Sequence, residues 1–274
     1  MEPSIYVRSR ARLGEGPLWD PRTNTLYWVD IDGGKLHVTK DGKDKEIEAP
    51  HLISALGLTE DENTLIASAG LTLYTFSNSR GFVPVSSITG EGVRFNDGKC
   101  GPDGKFWVGT MDLKEEKDVG KLFRYEGKFI SLVDNLIISN GLDWYRNTFY
   151  LVDSPRKRVY AFRVIDGELE SLGVAIETSD YPGVPDGMVV DSSGLVWVAH
   201  YGGGLVTAWE PFSRRAEIEI KMPVKIVTSV VFGGPKLNHL FVTSSSRAGE
   251  ELGGSVFVVE TDHLGREPNI CAKI

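Results

Sequence analysis

The stretch GLDWYRNTFYLVDS, residues 141–154, contains two short runs of apolar and aromatic residues that are separated by a turn containing Asn147. Strand-forming residues that flank a short polar turn are typical of two antiparallel strands joined tightly. The stretch therefore predicts a β-hairpin. It decides the fold because the same pattern returns along the whole chain.

Five other segments repeat this pattern: GPLWDPRTNTLYWVDI (16–31), ALGLTEDENTLIASAG (55–70), GKCGPDGKFWVGTM (98–111), GMVVDSSGLVWVAH (187–200) and SVVFGGPKLNHLFVTS (229–244). Equivalent points of the six copies lie near residues 15, 54, 96, 140, 186 and 228, which are 39 to 46 residues apart. Two shorter strand-like segments follow most copies. A period of about 40–50 residues that holds four short strands is typical of a propeller blade.

The sequence thus predicts an all-β fold, a six-bladed β-propeller with four-stranded antiparallel blades that forms a single domain over residues 1–274. Only one strand-like segment, GSVFVVE (254–260), follows the sixth copy, whereas SIYVRSR (4–10) belongs to no copy. We expect this N-terminal strand to join the last blade and close the ring, which protects an exposed sheet edge. A large β-sandwich would explain the strands but not their period.

Composition restricts the partners and the location. The net charge of -8 argues against nucleic acid or an anionic membrane surface as a partner. The N-terminus lacks the apolar segment of a signal peptide, and no apolar run is long enough to span a bilayer. Two cysteines without metal-ligand spacing, Cys100 and Cys271, indicate a reduced protein. We therefore expect a cytoplasmic protein, and its oligomeric state stays open.

The first strand of each propeller blade lines the central channel, so the residues that begin these strands converge on one mouth. They are Glu15, Ser54, Asn96-Asp97, Asn140, Asp186 and Thr228-Ser229. Four of the six positions offer carboxylate or amide oxygens, and none offers His or Cys. Such donors favour one hard divalent cation, Ca²⁺ first, with Mg²⁺, Mn²⁺ or Zn²⁺ as alternatives.

The pair Asn140-Gly141 is also a strong turn signal, so its role needs a choice between two interpretations. Several acids and amides that face one channel would repel one another or lack partners without a cation. Asn140 is therefore interpreted as a cation ligand and not as a turn residue.

Five short motifs occur in the order and spacing of the predicted blades: Leu13-Gly14-Glu15-Gly16-Pro17, Arg94-Phe95-Asn96-Asp97-Gly98-Lys99, Gly109-Thr110-Met111, Ser139-Asn140-Gly141-Leu142-Asp143-Trp144 and Pro185-Asp186-Gly187-Met188. From about residue 11 to residue 260, the chain resembles the SMP-30/gluconolactonase/luciferin-regenerating-enzyme family, also called regucalcin-like. The resemblance implies a six-bladed propeller with a divalent metal in its channel, and hydrolysis of sugar lactones by many members.

Residue by residue, the resemblance implies that Glu15, Asn140 and Asp186 bind the metal. It implies further that Arg94 and Asn96 contact the substrate, a small molecule of the sugar-lactone type.

One position departs from the family pattern. Some members carry a substrate-binding Glu three residues after the Met of Gly109-Thr110-Met111, and this chain has Lys114 there. Glu115 and Glu116 follow directly, so a shift of one residue in the loop would restore a carboxylate. Lys114 otherwise implies a different sugar preference. The surrounding run, residues 112–118, is expected to be a solvated loop, with a lid over the channel as the alternative.

The predicted function is a metal-dependent hydrolase that opens sugar lactones, with Asp186 also acting as the catalytic general base that orients the attacking water. The alternatives are a non-catalytic calcium-binding propeller and a phosphotriesterase-like hydrolase. The enzyme is favoured because Arg94 and Asn96 accompany the predicted ligands, and a purely structural ion would not need them.

Overall fold

Each of the six repeated segments forms the predicted hairpin in the computed structural model, which describes residues 1–272. The chain begins with strand β1 (Ser4–Val7). Blade 1 then contains β2 (Gly14–Asp20), β3 (Thr25–Asp30), β4 (Lys35–Lys40) and β5 (Lys43–Glu48). Blade 2 contains β6 (Ile53–Thr59), β7 (Thr64–Ala69), β8 (Thr72–Ser77) and β9 (Gly81–Ser87). Blade 3 contains β10 (Val93–Cys100), β11 (Phe106–Asp112), β12 (Gly120–Tyr125) and β13 (Phe129–Leu136).

The second half of the ring repeats this organisation. Blade 4 contains β14 (Ser139–Tyr145), β15 (Thr148–Asp153), β16 (Arg158–Ile165) and β17 (Glu168–Glu177). Blade 5 contains β18 (Val184–Val190), β19 (Val196–Tyr201), β20 (Leu205–Trp209) and β21 (Ile218–Lys221). Blade 6 contains β22 (Val227–Gly233), β23 (His239–Ser244) and β24 (Val256–Glu260), and β25 (Ile270–Cys271) follows it. Two three-residue 3₁₀ helices, Ser154–Arg156 and Ser246–Ala248, follow β15 and β23.

The N-terminal strand closes the ring as predicted. Strand β1 pairs antiparallel with β24, and the sheet order is β1-β24-β23-β22. The strand formed by residues 4–7 thus completes the four strands of blade 6. Pairing of the first strand with the last blade joins the two ends of the propeller, and β1 covers the edge of β24 as the outermost strand.

The blades pack against one another through apolar side chains. The innermost strands of consecutive blades contact one another around the whole ring. The contact of β22 with β2 closes the ring between blades 6 and 1. Six buried apolar clusters fill the six spaces between blades. Between blades 3 and 4, for example, the rings of Trp107 and Trp144 meet edge to face with their centroids 5.2 Å apart. Repetition of this packing accounts for the aromatic residues that recur in the hairpins.

The C-terminal segment corrects one prediction. Cys100 and Cys271 form a disulfide with their Cα atoms 5.2 Å apart, so the prediction of reduced cysteines is wrong. Strand β25 lies parallel to β6 and brings Cys271 to the innermost strand of blade 3. The two residues are 171 positions apart, and spacing along the sequence cannot reveal such a pair. The cytoplasmic location stays a prediction, and the cysteines no longer support it.

None of the helices within residues 1–272 has the length and apolar character needed to cross a membrane. Lys273 and Ile274, the last two residues of the predicted domain, lie outside the described part of the chain.

Candidate functional site

The predicted ligand positions coincide with irregularities in the innermost strands. The pairing of β2 with β3 shifts register after Glu15, that of β14 with β15 shifts between Ser139 and Leu142, and that of β18 with β19 shifts between Pro185 and Met188. An extra residue in one strand bends it and redirects its side chain. The shifts occur where Glu15, Asn140 and Asp186 begin their blades. Asn140 therefore lies in a strand and not in a turn.

Glycines next to the predicted ligands allow the close approach of the strands. A Cβ atom on Gly141 would lie 2.6 Å from the backbone oxygen of Asp186 and 2.6 Å from the backbone nitrogen of Met188. Only glycine fits between two innermost strands at this separation. At Glu15, the following Gly16 has a φ of 52°, and its N–H donates to the Glu15 carboxylate at 3.0 Å. The recurring Gly after each donor thus has a steric cause.

One cavity of about 150 Å³ contains most of the predicted site. Glu15, Arg94, Asn96, Asn140 and Asp186 all line it, and all five are buried. Apolar side chains surround them: Leu13, Ile31, Met111, Ile138 and Val184. Lys114 is exposed and is not among the lining residues, whereas Glu115 is. The structure therefore brings together every predicted site residue except Lys114, and it places the neighbouring carboxylate in the cavity.

The carboxylates of the cavity carry negative charge that the protein only partly compensates. Burial, together with the charge of Asp97, raises the pKa of Glu15 to about 8. Burial also raises the pKa of Asp186 well above its ordinary value, and the charges of Glu15 and Asp97 act in the same direction. A hydrogen bond from Asn140 opposes this rise. Carboxylates that are driven toward the neutral form in a closed space are typical of a site for a cation.

Asn140 and Asn96 are each fixed by a hydrogen bond from the side-chain amide. Asn140 Nδ2 donates to Ser154 Oγ at 3.1 Å, and Asn96 Nδ2 donates to the backbone oxygen of Ser139 at 3.0 Å. Asn96 Oδ1 in turn accepts from Arg94 Nη1 at 2.9 Å. Asn96 therefore holds the guanidinium of Arg94 in place, in addition to lining the cavity.

Two aspartates that the sequence analysis missed hold the backbone just ahead of the predicted ligands. Asp30 ends β3, and its carboxylate accepts the N–H groups of Arg12 and Leu13 at 2.9 and 3.0 Å, just ahead of Glu15. Asp153 ends β15 and accepts the N–H groups of Ile137 and Ile138, just ahead of Asn140.

The sequence contains a signal for this pair, because an Asp ends the second strand of the hairpin in WVDI (28–31) and LVDS (151–154). The equivalent Asp112 ends β11 and accepts the N–H groups of Glu116 and Lys117 at 3.0 and 3.1 Å. These bonds hold the loop of residues 112–118, which is solvent-exposed after its first residue as expected.

The far end of the channel is occupied by the C-terminal segment. Arg266 donates through Nε to the backbone oxygen of Val190 at 3.0 Å and through Nη2 to Asp143 Oδ1 at 3.0 Å. Lys99 approaches the other oxygen of Asp143 at 3.6 Å. Between the two ends, burial raises the pKa of Asp97 to about 6, and the charge of Lys99 opposes that rise. The cavity with the predicted ligands therefore opens at the other mouth.

A further group of possible metal donors, His37, Asp44 and Glu46, lies on β4 and β5 of blade 1. His37 Nδ1 and Asp44 Oδ2 are hydrogen-bonded at 2.7 Å, and Asp44 also accepts from Thr39, which accepts from Trp28. His37 Nδ1 and Asp44 are held in place by partners within the blade, whereas His37 Nε2 is buried without a hydrogen-bond partner among the described residues. This group is therefore accounted for by blade packing.

The donor set fits a divalent cation at Glu15, Asn140 and Asp186. Two buried carboxylates with raised pKa values and a fixed amide come from blades 1, 4 and 5 and share one cavity. All three are oxygen donors, which hard cations such as Ca²⁺ and Mg²⁺ prefer. The fold and these donors define the class of six-bladed propellers with a polar, acidic cavity in the channel.

The chain belongs to the SMP-30/gluconolactonase/LRE-like family, whose sequence profile matches residues 13–246. A relative from Pseudomonas putida named 6-deoxy-6-sulfogluconolactonase is 33% identical over 258 residues, covering 90% of this chain and 88% of the relative. The pentonolactonase XacC of Haloferax volcanii is 32% identical over 264 residues, covering 93% and 89%. The structure of the calcium-binding protein regucalcin from Agrobacterium tumefaciens superposes with a TM-score of 0.90 at 25% identity, covering 97% of this chain and 96% of regucalcin.

Proposed function

We propose that the protein is a metal-dependent hydrolase that opens sugar lactones, with one divalent cation held by Glu15, Asn140 and Asp186. The observation that carries this proposal is the convergence of these three donors with Arg94 in one cavity. The names of the relatives, a 6-deoxy-6-sulfogluconolactonase and a pentonolactonase, support a lactone as the substrate class. The calcium-binding structural relative makes Ca²⁺ the first cation to test, before Mg²⁺, Mn²⁺ and Zn²⁺.

The chemistry follows from the groups in the cavity. When bound, the cation would polarise the lactone carbonyl and stabilise the negative charge that develops on its oxygen. A carboxylate oxygen of Asp186 accepts the proton of the water that attacks the carbonyl carbon. The same proton passes to the ring oxygen as the carbon–oxygen bond breaks. The product is the open-chain hydroxy acid, which contains all atoms of the lactone and the water.

Other residues bind and orient the sugar. Arg94 offers a planar fork of donors to the hydroxyl groups, and its bond to Asn96 fixes the direction of that fork. Asn96 thus has two roles: it contacts the substrate, and it holds Arg94 in the orientation that binds the substrate. Glu115 takes the role that the family pattern gives to a Glu at the position of Lys114, because Glu115 lines the cavity.

The test is the hydrolysis of D-glucono-1,5-lactone by protein stripped with EDTA, then with Ca²⁺, Mg²⁺, Mn²⁺ or Zn²⁺ added back singly. We expect activity above the spontaneous rate to disappear on stripping and to return with at least one ion. Asn140→Ala is expected to lose this activity. Asn147→Ala, which changes an exposed Asn in the hairpin turn of the same blade, is the control and is expected to retain it.

The same experiment distinguishes the alternative functions. If no ion gives turnover of the lactone but Ca²⁺ raises the melting temperature, the protein is a cation-binding propeller without lactonase activity. If the restored ion supports hydrolysis of a phosphotriester such as paraoxon but of no lactone, the phosphotriesterase alternative replaces the lactonase. Full activity of Asn140→Ala would contradict the proposed ligand set.

A further inference from the structure

Two polar side chains in the cavity have no part in the proposed chemistry. Tyr201, at the end of β19 in blade 5, and Arg247, in the 3₁₀ helix Ser246–Ala248 of blade 6, line the same cavity as Arg94. Asp32, which follows β3 in blade 1, is bonded to Arg247. The three residues come from three consecutive blades of the ring, and no sequence motif linked them.

Contacts between these residues fix the position of the guanidinium. Arg247 Nε and Nη2 donate to Asp32 Oδ2 at 3.0 and 2.7 Å, and Arg247 Nη1 donates to the Tyr201 hydroxyl at 3.4 Å. The helix is held at its start, where the Arg247 N–H donates to Ser245 Oγ at 3.2 Å. The Arg247 side chain is 42% exposed, so it remains accessible at the mouth while being oriented. Such a preorganised fork loses little entropy when it binds a ligand.

Arg247 faces the groups that are proposed to bind the sugar hydroxyls from the other side of the cavity. In a ring of six blades, blade 6 lies opposite blade 3, which supplies Arg94, Asn96 and Glu115. A lactone whose carbonyl lies at the oxygen donors would therefore have polar groups on both sides. We propose that Arg247 and Tyr201 form a second sugar-binding wall that binds the hydroxyl groups remote from the carbonyl, with Asp32 holding Arg247 in position. This inference rests on the proposed lactonase function and specifies its substrate class.

The charges favour a neutral hydroxylated substituent over an anionic one. Arg247 is already paired with Asp32, so an anion would have to compete with a carboxylate at 2.7 Å. A neutral hydroxyl group needs no such competition, since it can accept a hydrogen bond from Arg247 while Asp32 stays in place. Both bonds that Arg247 makes to Asp32 go to Oδ2, so Asp32 fixes the direction of the guanidinium from behind the cavity. The Tyr201 oxygen accepts from Arg247, so its own proton can be donated to the sugar.

The experiment compares D-glucono-1,5-lactone with δ-valerolactone, which has the same six-membered ring without hydroxyl groups. Both are assayed with the cation that restores activity. For Arg247→Ala we expect kcat/KM on the gluconolactone to fall by about 10- to 100-fold, mostly through KM, because a hydrogen bond to a charged group is lost. For δ-valerolactone the kcat/KM is expected to stay unchanged. Tyr201→Phe, which keeps the ring, is expected to show a smaller loss on the gluconolactone alone.

Arg163→Ala is the control, since it breaks an exposed ion pair with Glu170 on the outer strands of blade 4. It is expected to leave kcat/KM for both lactones unchanged. Equal losses on the two lactones in Arg247→Ala and Tyr201→Phe would overturn the second wall while the lactonase function stands. A wild-type protein that hydrolyses neither lactone with any ion would overturn the proposed function and, with it, this inference. A wild-type preference for a lactone with a remote sulfonate group, if Arg247→Ala abolishes that preference, would overturn the inference that the wall favours a neutral substituent.

Discussion

At the residue scale, the geometry of the proposed ligands depends on carboxylates that do not line the cavity. Asp153 is fully buried, and it holds the two backbone N–H groups that precede Asn140. A single apolar substitution there leaves these donors without an acceptor in a closed space. The expected penalty is about 1–3 kcal/mol of stability, and Asn140 loses its fixed approach to the cavity.

We therefore expect Asp153→Ala to weaken cation binding by about tenfold or more, and activity to fall with it at limiting cation. Isothermal titration calorimetry with the activating ion measures the effect directly. Asp191→Ala is the matched control, because Asp191 accepts the N–H groups of Ser193, Gly194 and Leu195 in a turn of blade 5. It is expected to lose stability but to keep its cation affinity. An unchanged affinity in Asp153→Ala would show that Asn140 needs no such support.

His200 gives a pH dependence that is independent of the proposed cation. It is fully buried, its Nε2 is hydrogen-bonded to Thr207 Oγ1 at 2.8 Å, and burial lowers its pKa from 6.5 to about 4. Between these two pH values the unfolded chain binds a proton that the folded protein does not. Stability from this residue is therefore complete above about pH 6.5 and declines as the pH falls toward 4, by roughly 3 kcal/mol in total.

In His200→Gln, which has no titrating group, we expect the slope of unfolding free energy against pH between 6.5 and 4 to become shallower. Denaturant unfolding at several pH values measures that slope. His51→Gln, a change of an exposed His, is expected to leave it as in the wild type. If the unfolding free energies of His200→Gln and the wild type depend on pH with the same slope, His200 does not contribute to the pH dependence of stability.

At the scale of elements, the loop of residues 112–118 shows how backbone conformation selects a functional side chain. Glu115 has a left-handed φ of 59°, and its N–H donates to the backbone oxygen of Asp112 at 3.0 Å. This tight turn directs Glu115 to the cavity and leaves Lys114 on the solvent side. The loop therefore has the one-residue shift that the sequence allowed, which places Glu115 instead of Lys114 at the cavity.

We expect Glu115→Gln to lower kcat/KM for hydroxylated lactones by about 10-fold, because a charged acceptor of sugar hydroxyl bonds is lost. Lys114→Gln, at the adjacent exposed position, is expected to leave the rate constant within about twofold. Steady-state kinetics on D-glucono-1,5-lactone measure both. A large effect of Lys114→Gln with none for Glu115→Gln would restore Lys114 as the residue that determines the sugar preference.

At the scale of the whole molecule, the ring is joined twice. Strand β1 completes blade 6, and the C-terminal segment crosses the far end of the channel to reach blade 3. The disulfide connects residues 171 positions apart, so it constrains a large part of the unfolded chain. Chain-entropy estimates for a loop of this size reach about 5 kcal/mol, although native-state strain usually reduces that value.

We expect Cys271→Ser to lower the free energy of unfolding by roughly 2–5 kcal/mol and to leave lactone hydrolysis unchanged at low temperature, since the disulfide is remote from the cavity. Thermal or guanidinium unfolding, with and without dithiothreitol, measures the loss. The reductant is expected to destabilise the wild type and to have no effect on the variant. Equal stability of the oxidised wild type and Cys271→Ser would contradict a stabilising role.

Much of the architecture could be predicted because it repeats. Six hairpins at a regular spacing required six blades, and the missing strand of the last blade identified β1 as its partner. The positions of Glu15, Asn140 and Asp186 could be predicted for the same reason, since each begins an innermost strand, whereas their selection as metal ligands follows from the family resemblance and stays a prediction. Local pattern and period are properties of the sequence, and they determine which residues occupy equivalent places in a ring.

Only the tertiary structure could decide the contacts between residues that share no period. The disulfide of Cys100 with Cys271, the ion pair of Arg247 with Asp32, and the choice of Glu115 over Lys114 all depend on the paths of single loops. Such paths follow from individual turns and long-range packing, which the sequence does not encode as a repeated pattern. The sequence by itself therefore determined the propeller and the positions of its donors, and the folded loops decided what surrounds them.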